Sequence, residues 1–287
     1  MAALGLRCAV LGDPVAHSLS PTLHRAAYDA LGLEGWTYDA VQVPAGGLEA
    51  FLDRLGGPWP PGEWRGLSLT MPLKREAVAS PRVGARSHRA DLAGAVNTLV
   101  RTSTGWAGDN TDLPGAVAAV QERWDGTLGA GAILGAGATA ASTGLALVEL
   151  GVRQVVLLAR DVTRAGETVE VISAHPAKPT VSVLPLHTSA EADILVSTIP
   201  AAAQTPELVA RWQDVPVLFE VVYDPWPTPL VAAARGTVVS GLDLLVHQAT
   251  LQFELFAGVA APLAAMRAAG ERALGIATAA AEVDPSA

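Results

Sequence analysis

Short runs of leucine and β-branched residues alternate with alanine-rich stretches of helical length from one end of the chain to the other. This alternation is typical of parallel strands joined by helical crossovers, so it predicts an α/β fold. The pattern starts again after Asp112, where a helix, a glycine-bounded turn and a new strand follow one another. At roughly 100–200 residues per domain, the length also predicts two domains.

We expect one α/β domain to contain residues 1–112 and 240–287, and a doubly wound domain to contain residues 113–239. In the first part, helices are predicted over residues 21–31 and 45–55, and strands over 6–11, 36–43, 65–70 and 94–101. In the second part, helices are predicted up to residues 124 and 150, and strands over 131–134, 153–159, 180–184, 194–197 and 217–221. Pro58, Pro60 and Pro61 mark a loop. Residues 242–280 have helical patterns and no further strand, so we expect two helices that pack back on the first domain.

Charge and cysteine content exclude several classes of function. The formal net charge is −9 and 16% of the residues are charged, so the chain lacks the basic face that nucleic acid or an anionic membrane requires. The single cysteine, Cys8, excludes a disulfide framework and a thiolate metal cage, and it fits a reducing compartment. None of the histidines has a metal-ligand spacing, so we predict no metal.

The uncharged stretch over residues 127–148 is long enough to span a bilayer, but it contains five glycines. Strand, turn and helix are therefore a better interpretation than a membrane span. We expect a cytoplasmic protein, a monomer or a homodimer, that acts on a small molecule and binds neither nucleic acid nor membrane.

A glycine-rich turn follows the apolar run that ends at Leu134 and opens the next predicted helix. A GxGxxA pattern between a strand and a helix is typical of dinucleotide sites, because the glycines permit a close approach to a pyrophosphate. The N–H groups and dipole of the helix would attract that anion. A glycine-rich turn without a ligand is the alternative. The candidate cofactor contacts are Gly135, Ala136, Gly137, Ala138, Thr139 and Ala140.

The residues after the next strand indicate which nucleotide is bound. An NAD site usually carries an acidic residue there for the ribose hydroxyls, whereas this strand leads into Arg160, with Arg164 one helical turn later. Two guanidinium groups suit a 2′-phosphate, which favours NADP over NAD. A solvated helix face is the alternative for Arg164. Asp161 either caps the helix or weakens phosphate binding by repulsion.

Lys74 stands out because arginine outnumbers lysine 17 to 2 in this chain. Lysine can release its proton in a protein and arginine cannot, so Lys74, just past a predicted strand, is a candidate acid/base. A surface lysine is the alternative, and it is the preferred interpretation for Lys178 in its polar loop. Asp112 is a candidate partner that would hold and polarise Lys74, whereas Asp109 is as suited to capping a helix.

Three more polar residues are candidate ligand contacts. Ser18 and Ser20 stand at i and i+2, so an extended segment places them on one side. Ser20 precedes Pro21 and is expected to cap the following helix, which leaves Ser18 as the better ligand candidate. Asn97 lies inside an otherwise apolar predicted strand, where its amide needs a partner; a core hydrogen bond is the alternative.

Taken in order, these motifs resemble those of the shikimate dehydrogenase family over nearly the whole chain. Residues 12–21 are similar to the family's substrate motif, and residues 69–74 to its catalytic-lysine motif. Residues 95–98 match its AVNT strand, 108–112 its GDNTD motif, and 241–249 its closing motif.

The resemblance implies an N-terminal substrate domain, a Rossmann-type NADP domain and reversible NADPH-dependent reduction of 3-dehydroshikimate to shikimate, a step toward chorismate and the aromatic amino acids. It implies that Lys74 is the acid/base and that Asp112 assists it. The substrate contacts that it implies are Ser18, Ser20, Thr70, Asn97, Asp112, Tyr223 and Gln248. It adds Thr198 and Gly241 to the cofactor contacts.

Three positions depart from the family pattern. GAGAT replaces the usual GAGGA, which restricts the backbone at Ala138; Ser68 stands where asparagine is common; and Asp161 replaces a hydroxyl residue near the adenine ribose. Two alternatives stay open: an NAD-linked quinate/shikimate dehydrogenase, and a catalytically silent paralogue that senses a metabolite.

Overall fold

A computed structural model describes residues 6–55 and 64–276. The predicted proline loop at Pro58, Pro60 and Pro61 lies outside these residues, as does the predicted tail beyond residue 276. Within them, the elements form two six-stranded sheets that follow one another along the chain. The prediction of an α/β fold is confirmed.

The first sheet is mixed. Its strands are β1 (Leu6–Gly12), β2 (Trp36–Gln42), β3 (Trp64–Leu69), β4 (Val83–Arg86), β5 (Thr98–Thr102) and β6 (Gly105–Asp109), in the order β2-β1-β3-β5-β6-β4. The helices of this part are α1 (Ser20–Ala30), α2 (Leu48–Leu55), α3 (Leu73–Ala79), α4 (His88–Ala93) and α5 (Asp112–Arg123).

Our expectation of parallel strands throughout is wrong for this sheet. β5 pairs antiparallel with both β3 and β6. The two-residue turn between β5 and β6 is too short for a helical crossover, which makes that pair antiparallel. β4, β6, α3 and α4 were not predicted. The strand predicted over 94–101 begins only at Thr98, so Asn97 lies in the segment that leads into β5 rather than inside a strand.

The second sheet is parallel throughout and doubly wound. Its strands are β7 (Ala130–Leu134), β8 (Gln154–Ala159), β9 (Thr180–Pro185), β10 (Ile194–Ser197), β11 (Val217–Glu220) and β12 (Thr237–Val239), in the order β12-β11-β10-β7-β8-β9. The chain moves outward from β7 on one side and returns through β10 on the other. This reversal opens a crevice at the carboxyl ends of β7 and β10, where ligands bind in such sheets.

Helices cover both faces of the second sheet. They are α6 (Ala138–Glu149), α7 (Gly166–Ser173), α8 (Pro206–Trp212) and α9 (Pro229–Ala233), with short 3₁₀ turns at Val162–Ala165 and Ala201–Ala203. One apolar cluster joins the sheet to α5 and α6, and another joins it to α8 and α9. Burial on both faces explains why the inner strands, such as β10 and β11, read as continuous apolar runs.

Two helices close the described chain: α10 (Gly241–Ala257) and α11 (Leu263–Ala273). α10 begins with a capping box, in which Ser240 Oγ accepts from the Asp243 backbone N–H and Asp243 accepts from that of Ser240. Leu242, Phe253 and Met266 pack with α1 and β1 in one apolar cluster. The prediction that these helices return to the first part of the chain is confirmed.

Ser20 does not cap α1, contrary to our prediction. Leu19 occupies the cap position in a helical conformation, no side chain caps the helix, and Ser20 is its first residue. The Ser20 side chain is buried and is directed to a cavity instead. Among the residues that the structure describes, no helix is both long and apolar enough to cross a bilayer.

Candidate active site

Lys74 and Asp112 form an ion pair where two helices begin. Lys74 lies in the first turn of α3 and Asp112 is the first residue of α5, and the Nζ–Oδ2 distance is 2.7 Å. Their side chains are only 17% and 13% exposed. The second carboxylate oxygen of Asp112 accepts a hydrogen bond of 2.7 Å from Asn97 Nδ2. Both oxygens are therefore engaged, which fixes the carboxylate against the ammonium group.

The Asn97 amide is itself fixed from its other side. Its Oδ1 accepts from the backbone N–H of Thr111 and from Thr98 Oγ1, both at 2.8 Å. Because a backbone N–H only donates, the oxygen must face Thr111 and the NH₂ group must face Asp112. The core hydrogen bond that we considered for Asn97 is present, and it orients the carboxylate of the ion pair.

Asp109 points away from this pair. It accepts hydrogen bonds of 2.6 and 2.5 Å from Arg89, and one of 2.7 Å from the Asn110 N–H. Burial raises the pKa of Asp109, but the hydrogen bonds from Arg89 and Ser87 outweigh it, so the pKa lies below its ordinary value. Asp109 anchors the turn before α5 and does not cap that helix.

The Lys74–Asp112 pair lines a cavity of about 190 Å³. All the residues that the sequence suggested as substrate contacts line it too: Ser18, Ser20, Thr70, Asn97, Tyr223 and Gln248. Lys74 is the only cationic side chain among the described lining residues, so an anionic group elsewhere in the cavity would be held by neutral hydroxyl and amide donors. Burial raises the pKa of Tyr223, which keeps its phenol protonated.

A second, larger groove of about 860 Å³ adjoins the first, and Thr70, Lys74 and Thr139 line both. It contains the other suggested cofactor contacts: Gly135, Ala136, Gly137, Ala138, Ala140, Arg160, Arg164 and Thr198. Gly241 lines the smaller cavity. A Cβ at Gly241 would lie 2.2 Å from the Val221 carbonyl oxygen, so only glycine fits where α10 begins.

The glycine turn fits a dinucleotide pyrophosphate. Gly135 has φ +111°, and a Cβ there would lie 2.3 Å from Thr198 Oγ1. No side chain caps α6 at Gly137, and the first residues of the helix line the groove, so their N–H groups are available to an anion there. Ala138 is the first residue of α6 and has no positive φ, so the replacement of GAGGA by GAGAT does not strain the backbone.

Asp161 caps the 3₁₀ turn that follows β8. Its Oδ1 accepts from the Thr163 N–H and from Thr163 Oγ1 at 3.0 and 2.6 Å. Hydrogen bonds from Thr163 lower the pKa of Asp161, so its side chain is charged. Asp161 lines the groove together with Arg160 and Arg164. Of the two roles considered for Asp161, capping is present.

Several site residues were not anticipated. Gln252 lines the smaller cavity with Ser68, and its position four residues after Gln248 on α10 is the signal that could have revealed it. Arg75 and Glu167 line the groove and form an ion pair of 2.7 Å between α3 and α7. Their separation in sequence gave no signal for this contact.

Comparison with known proteins agrees with this geometry. Family models described as the shikimate dehydrogenase substrate binding domain and the shikimate 5'-dehydrogenase C-terminal domain match residues 10–99 and 241–269. A shikimate dehydrogenase (NADP(+)) of Thermus thermophilus is 34% identical over 280 residues, which cover 94% of this chain and 100% of that protein. This chain belongs to the shikimate dehydrogenase family.

Solved structures of shikimate dehydrogenases have the same fold. The Mycobacterium tuberculosis enzyme is 41% identical, with a TM-score of 0.81 over 93% of this chain and 99% of that chain. A Thermus thermophilus enzyme in complex with NADP(H) and shikimate is 32% identical, with a TM-score of 0.81 over 94% and 100%. The N-terminal substrate fold and the Rossmann fold of the family are therefore both present here.

Proposed function

We propose that this protein is an NADP-dependent shikimate dehydrogenase, which reversibly reduces 3-dehydroshikimate to shikimate on the route to chorismate and the aromatic amino acids. The observation that carries the proposal is the 2.7 Å Lys74–Asp112 ion pair, placed where the polar cavity joins the glycine-turn groove. We also propose that residues 1–112 with 240–287 form the substrate domain and that residues 113–239 form the NADP domain.

The groove residues suit NADP. The turn from Gly135 to Ala140 would hold the pyrophosphate, with Thr198 and Gly241 beside the nicotinamide end. Arg160 and Arg164 would hold the 2′-phosphate, because their guanidinium groups match phosphate oxygens in charge and geometry. Bound NADPH supplies the hydride that reduces the substrate carbonyl carbon.

Lys74 supplies the proton. As the carbonyl is reduced, negative charge develops on its oxygen, and the Lys74 ammonium donates a proton to that oxygen. In the reverse direction, neutral Lys74 accepts the proton of the substrate hydroxyl. Asp112 holds the amine in place through the 2.7 Å contact.

The remaining cavity residues position the substrate. Hydroxyl and amide groups of Ser18, Ser20, Thr70, Asn97 and Gln248, together with Tyr223, bind the ring hydroxyls and the carboxylate. A site built from buried polar groups penalises analogues that lack the matching hydroxyl, because its own groups are then left unpaired. The contact between cavity and groove brings the reacting carbon and the nicotinamide together.

The test is an assay of the purified protein with shikimate or quinate as substrate and NADP or NAD as cofactor. The absorbance of the reduced nicotinamide measures turnover. We expect the highest kcat/KM with shikimate and NADP. A higher kcat/KM with quinate and NAD would overturn the proposal in favour of a quinate dehydrogenase, and no turnover with any pair would indicate a silent paralogue.

A further inference from the structure

Gln252 has its amide orientation fixed by a backbone carbonyl. The side chain is 1% exposed, and its Nε2 lies 3.2 Å from the Asn97 carbonyl oxygen and 3.0 Å from Thr98 Oγ1. A carbonyl oxygen only accepts, so the NH₂ group of Gln252 must face it. The amide oxygen Oε1 is thereby turned toward Ser68, whose Oγ lies 2.7 Å away.

This orientation decides the role of the Ser68 hydroxyl. Because Gln252 Oε1 only accepts, Ser68 must donate its single proton to it. The 2.6 Å contact between Ser68 and the Tyr38 hydroxyl then has Tyr38 as the donor. Tyr38 is completely buried and stacks on His24 with ring centroids 4.1 Å apart. Burial raises the pKa of Tyr38, so its phenol stays protonated and can donate this hydrogen bond.

The hydrogen bonds that lead from Gln252 to the ion pair also have fixed donors and acceptors. Thr98 Oγ1 accepts from Gln252 and donates to Asn97 Oδ1, and Asn97 donates to Asp112. Each member of this chain of hydrogen bonds therefore has one permitted direction. None of the groups can reverse its role without leaving a buried donor or acceptor unpaired.

Ser68 lines the substrate cavity, and its Oγ has one lone pair left after these two contacts. We propose that Tyr38 and Gln252 are positioning residues that make Ser68 an acceptor-only contact, so that this position recognises a substrate hydroxyl by its proton. A carbonyl, ether or fluorine in place of that hydroxyl offers no proton and is rejected. The inference rests on the proposed function, and the hydroxyl concerned is one of the two ring hydroxyls that do not react.

The experiment uses shikimate analogues in which each non-reacting hydroxyl is replaced in turn by hydrogen or by fluorine. In the wild-type enzyme, we expect that at one of the two positions both replacements lower kcat/KM by about 5- to 150-fold. Fluorine should be no better than hydrogen there, because Ser68 has no proton to give to it.

The decisive variant is Gln252→Met, which removes the acceptor and frees the Ser68 proton. The fluorine analogue should then exceed the hydrogen analogue by about 2- to 10-fold in kcat/KM. Gln252→Ala removes the same acceptor with less bulk and serves if the Met variant does not fold. The quantity compared is the ratio of kcat/KM for the fluorine analogue to kcat/KM for the hydrogen analogue. Comparing this ratio between the wild-type enzyme and the Gln252 variant cancels the electronic effect of fluorine on the reaction.

The matched control is Tyr38→Phe, in which Ser68 still donates its hydrogen bond to Gln252. This variant should keep the wild-type ratio of kcat/KM between the fluorine and hydrogen analogues. Two results would overturn the inference: a wild-type enzyme that accepts fluorine as well as hydroxyl at both positions, or an unchanged ratio after Gln252 is replaced. Loss of turnover of shikimate itself by the wild-type enzyme would be a different result, because it would refute the proposed function as well.

Discussion

Lys74 is the residue on which the proposed chemistry depends. Replacing it with alanine removes the proton donor, and replacing it with arginine keeps the positive charge beside Asp112 but removes the ability to release a proton. We expect both Lys74→Ala and Lys74→Arg to lower kcat by about 10²- to 10⁴-fold, with a smaller effect on KM. Steady-state kinetics with shikimate and NADP measure this.

The other lysine of the chain provides the control for this prediction. Lys178 lies in an exposed turn with φ +49°, and Lys178→Arg should leave kcat unchanged. Near-normal turnover of Lys74→Arg would mean that positive charge alone suffices at this position, and it would remove proton transfer by Lys74 from the mechanism.

Arg160 is the residue that should distinguish the two nucleotides. If its guanidinium binds the 2′-phosphate, Arg160→Ala should lower kcat/KM with NADP by about 10- to 150-fold and change the value with NAD little. Arg235→Ala removes an exposed arginine that pairs with Asp214, and it should affect neither cofactor. An equal loss with NADP and NAD would contradict the assignment of Arg160 to the 2′-phosphate.

At the scale of elements, one carboxylate joins three helices. Asp243 on α10 pairs with Arg123 of α5 at 2.7 Å and with Arg267 of α11 at 2.5 Å, and its side chain is 2% exposed. Burial raises its pKa, but hydrogen bonds from Arg123, Ser240 and Arg267 outweigh burial and bring the pKa to about 2. This carboxylate holds α10, and hence Gln248 and Gln252, against α5.

Removing that charge should destabilise the fold. We expect Asp243→Asn to lower the free energy of unfolding by about 3 kcal/mol near neutral pH, because both arginines lose a buried partner. The folded pKa lies below the ordinary value of 3.8, so the charge stabilises the fold above that pH. The difference between wild type and variant should therefore shrink as the pH falls from about 4 to about 2.

Urea unfolding over this pH range measures the effect. The control is Asp214→Asn, whose pair with Arg235 is 65–67% exposed and should contribute less than about 1 kcal/mol. A stability difference for Asp243→Asn that did not change between pH 4 and pH 2 would show that the Asp243 carboxylate is not the group that titrates.

Strands and helices were predictable from the sequence where the local pattern of apolar residues determines them. The strand at Ile194–Ser197 matches its prediction exactly in both bounds, because a buried parallel strand is an unbroken apolar run. β5 ends in two exposed polar residues, Arg101 and Thr102, and β6 is a five-residue strand that contains two glycines, so apolar periodicity did not reveal β6. The Ser20 cap was mispredicted because Leu19 already adopts a helical conformation.

The candidate site was predictable only in part, because local motifs reveal some of its residues and contacts between distant parts of the chain bring in the others. Lys74, Asp112 and the glycine turn lie in short motifs whose spacing is visible in the sequence. Tyr38, Ser68 and Gln252 meet through contacts that span 30 and 184 residues, and no local pattern encodes such contacts. The residues proposed to carry the chemistry could thus be named from the sequence, whereas the residues that contact and orient them could be found only in the fold.

At the scale of the whole molecule, the larger groove lies between the two sheets, because residues that follow β3 of the first sheet and β7, β8 and β10 of the second line it. Arg75 of α3 and Glu167 of α7 pair across it at 2.7 Å, with side chains 43% and 57% exposed. NADP is a polyanion, so the negative charge of Glu167 in the groove opposes its binding and also neutralises Arg75, a positive charge that lines the same groove. The exposed pair adds little stability in return.

Glu167→Gln should therefore strengthen NADP binding. We expect the KM for NADP to fall by about 1.5- to 5-fold at low ionic strength, and the effect to shrink as salt screens the groove. Glu170→Gln, an exposed residue on the same helix, is the control and should have a smaller effect. If Glu167→Gln instead raised the KM at every salt concentration, the ion pair would be needed to hold α3 and α7 at the separation that NADP requires, because lost repulsion can only lower the KM.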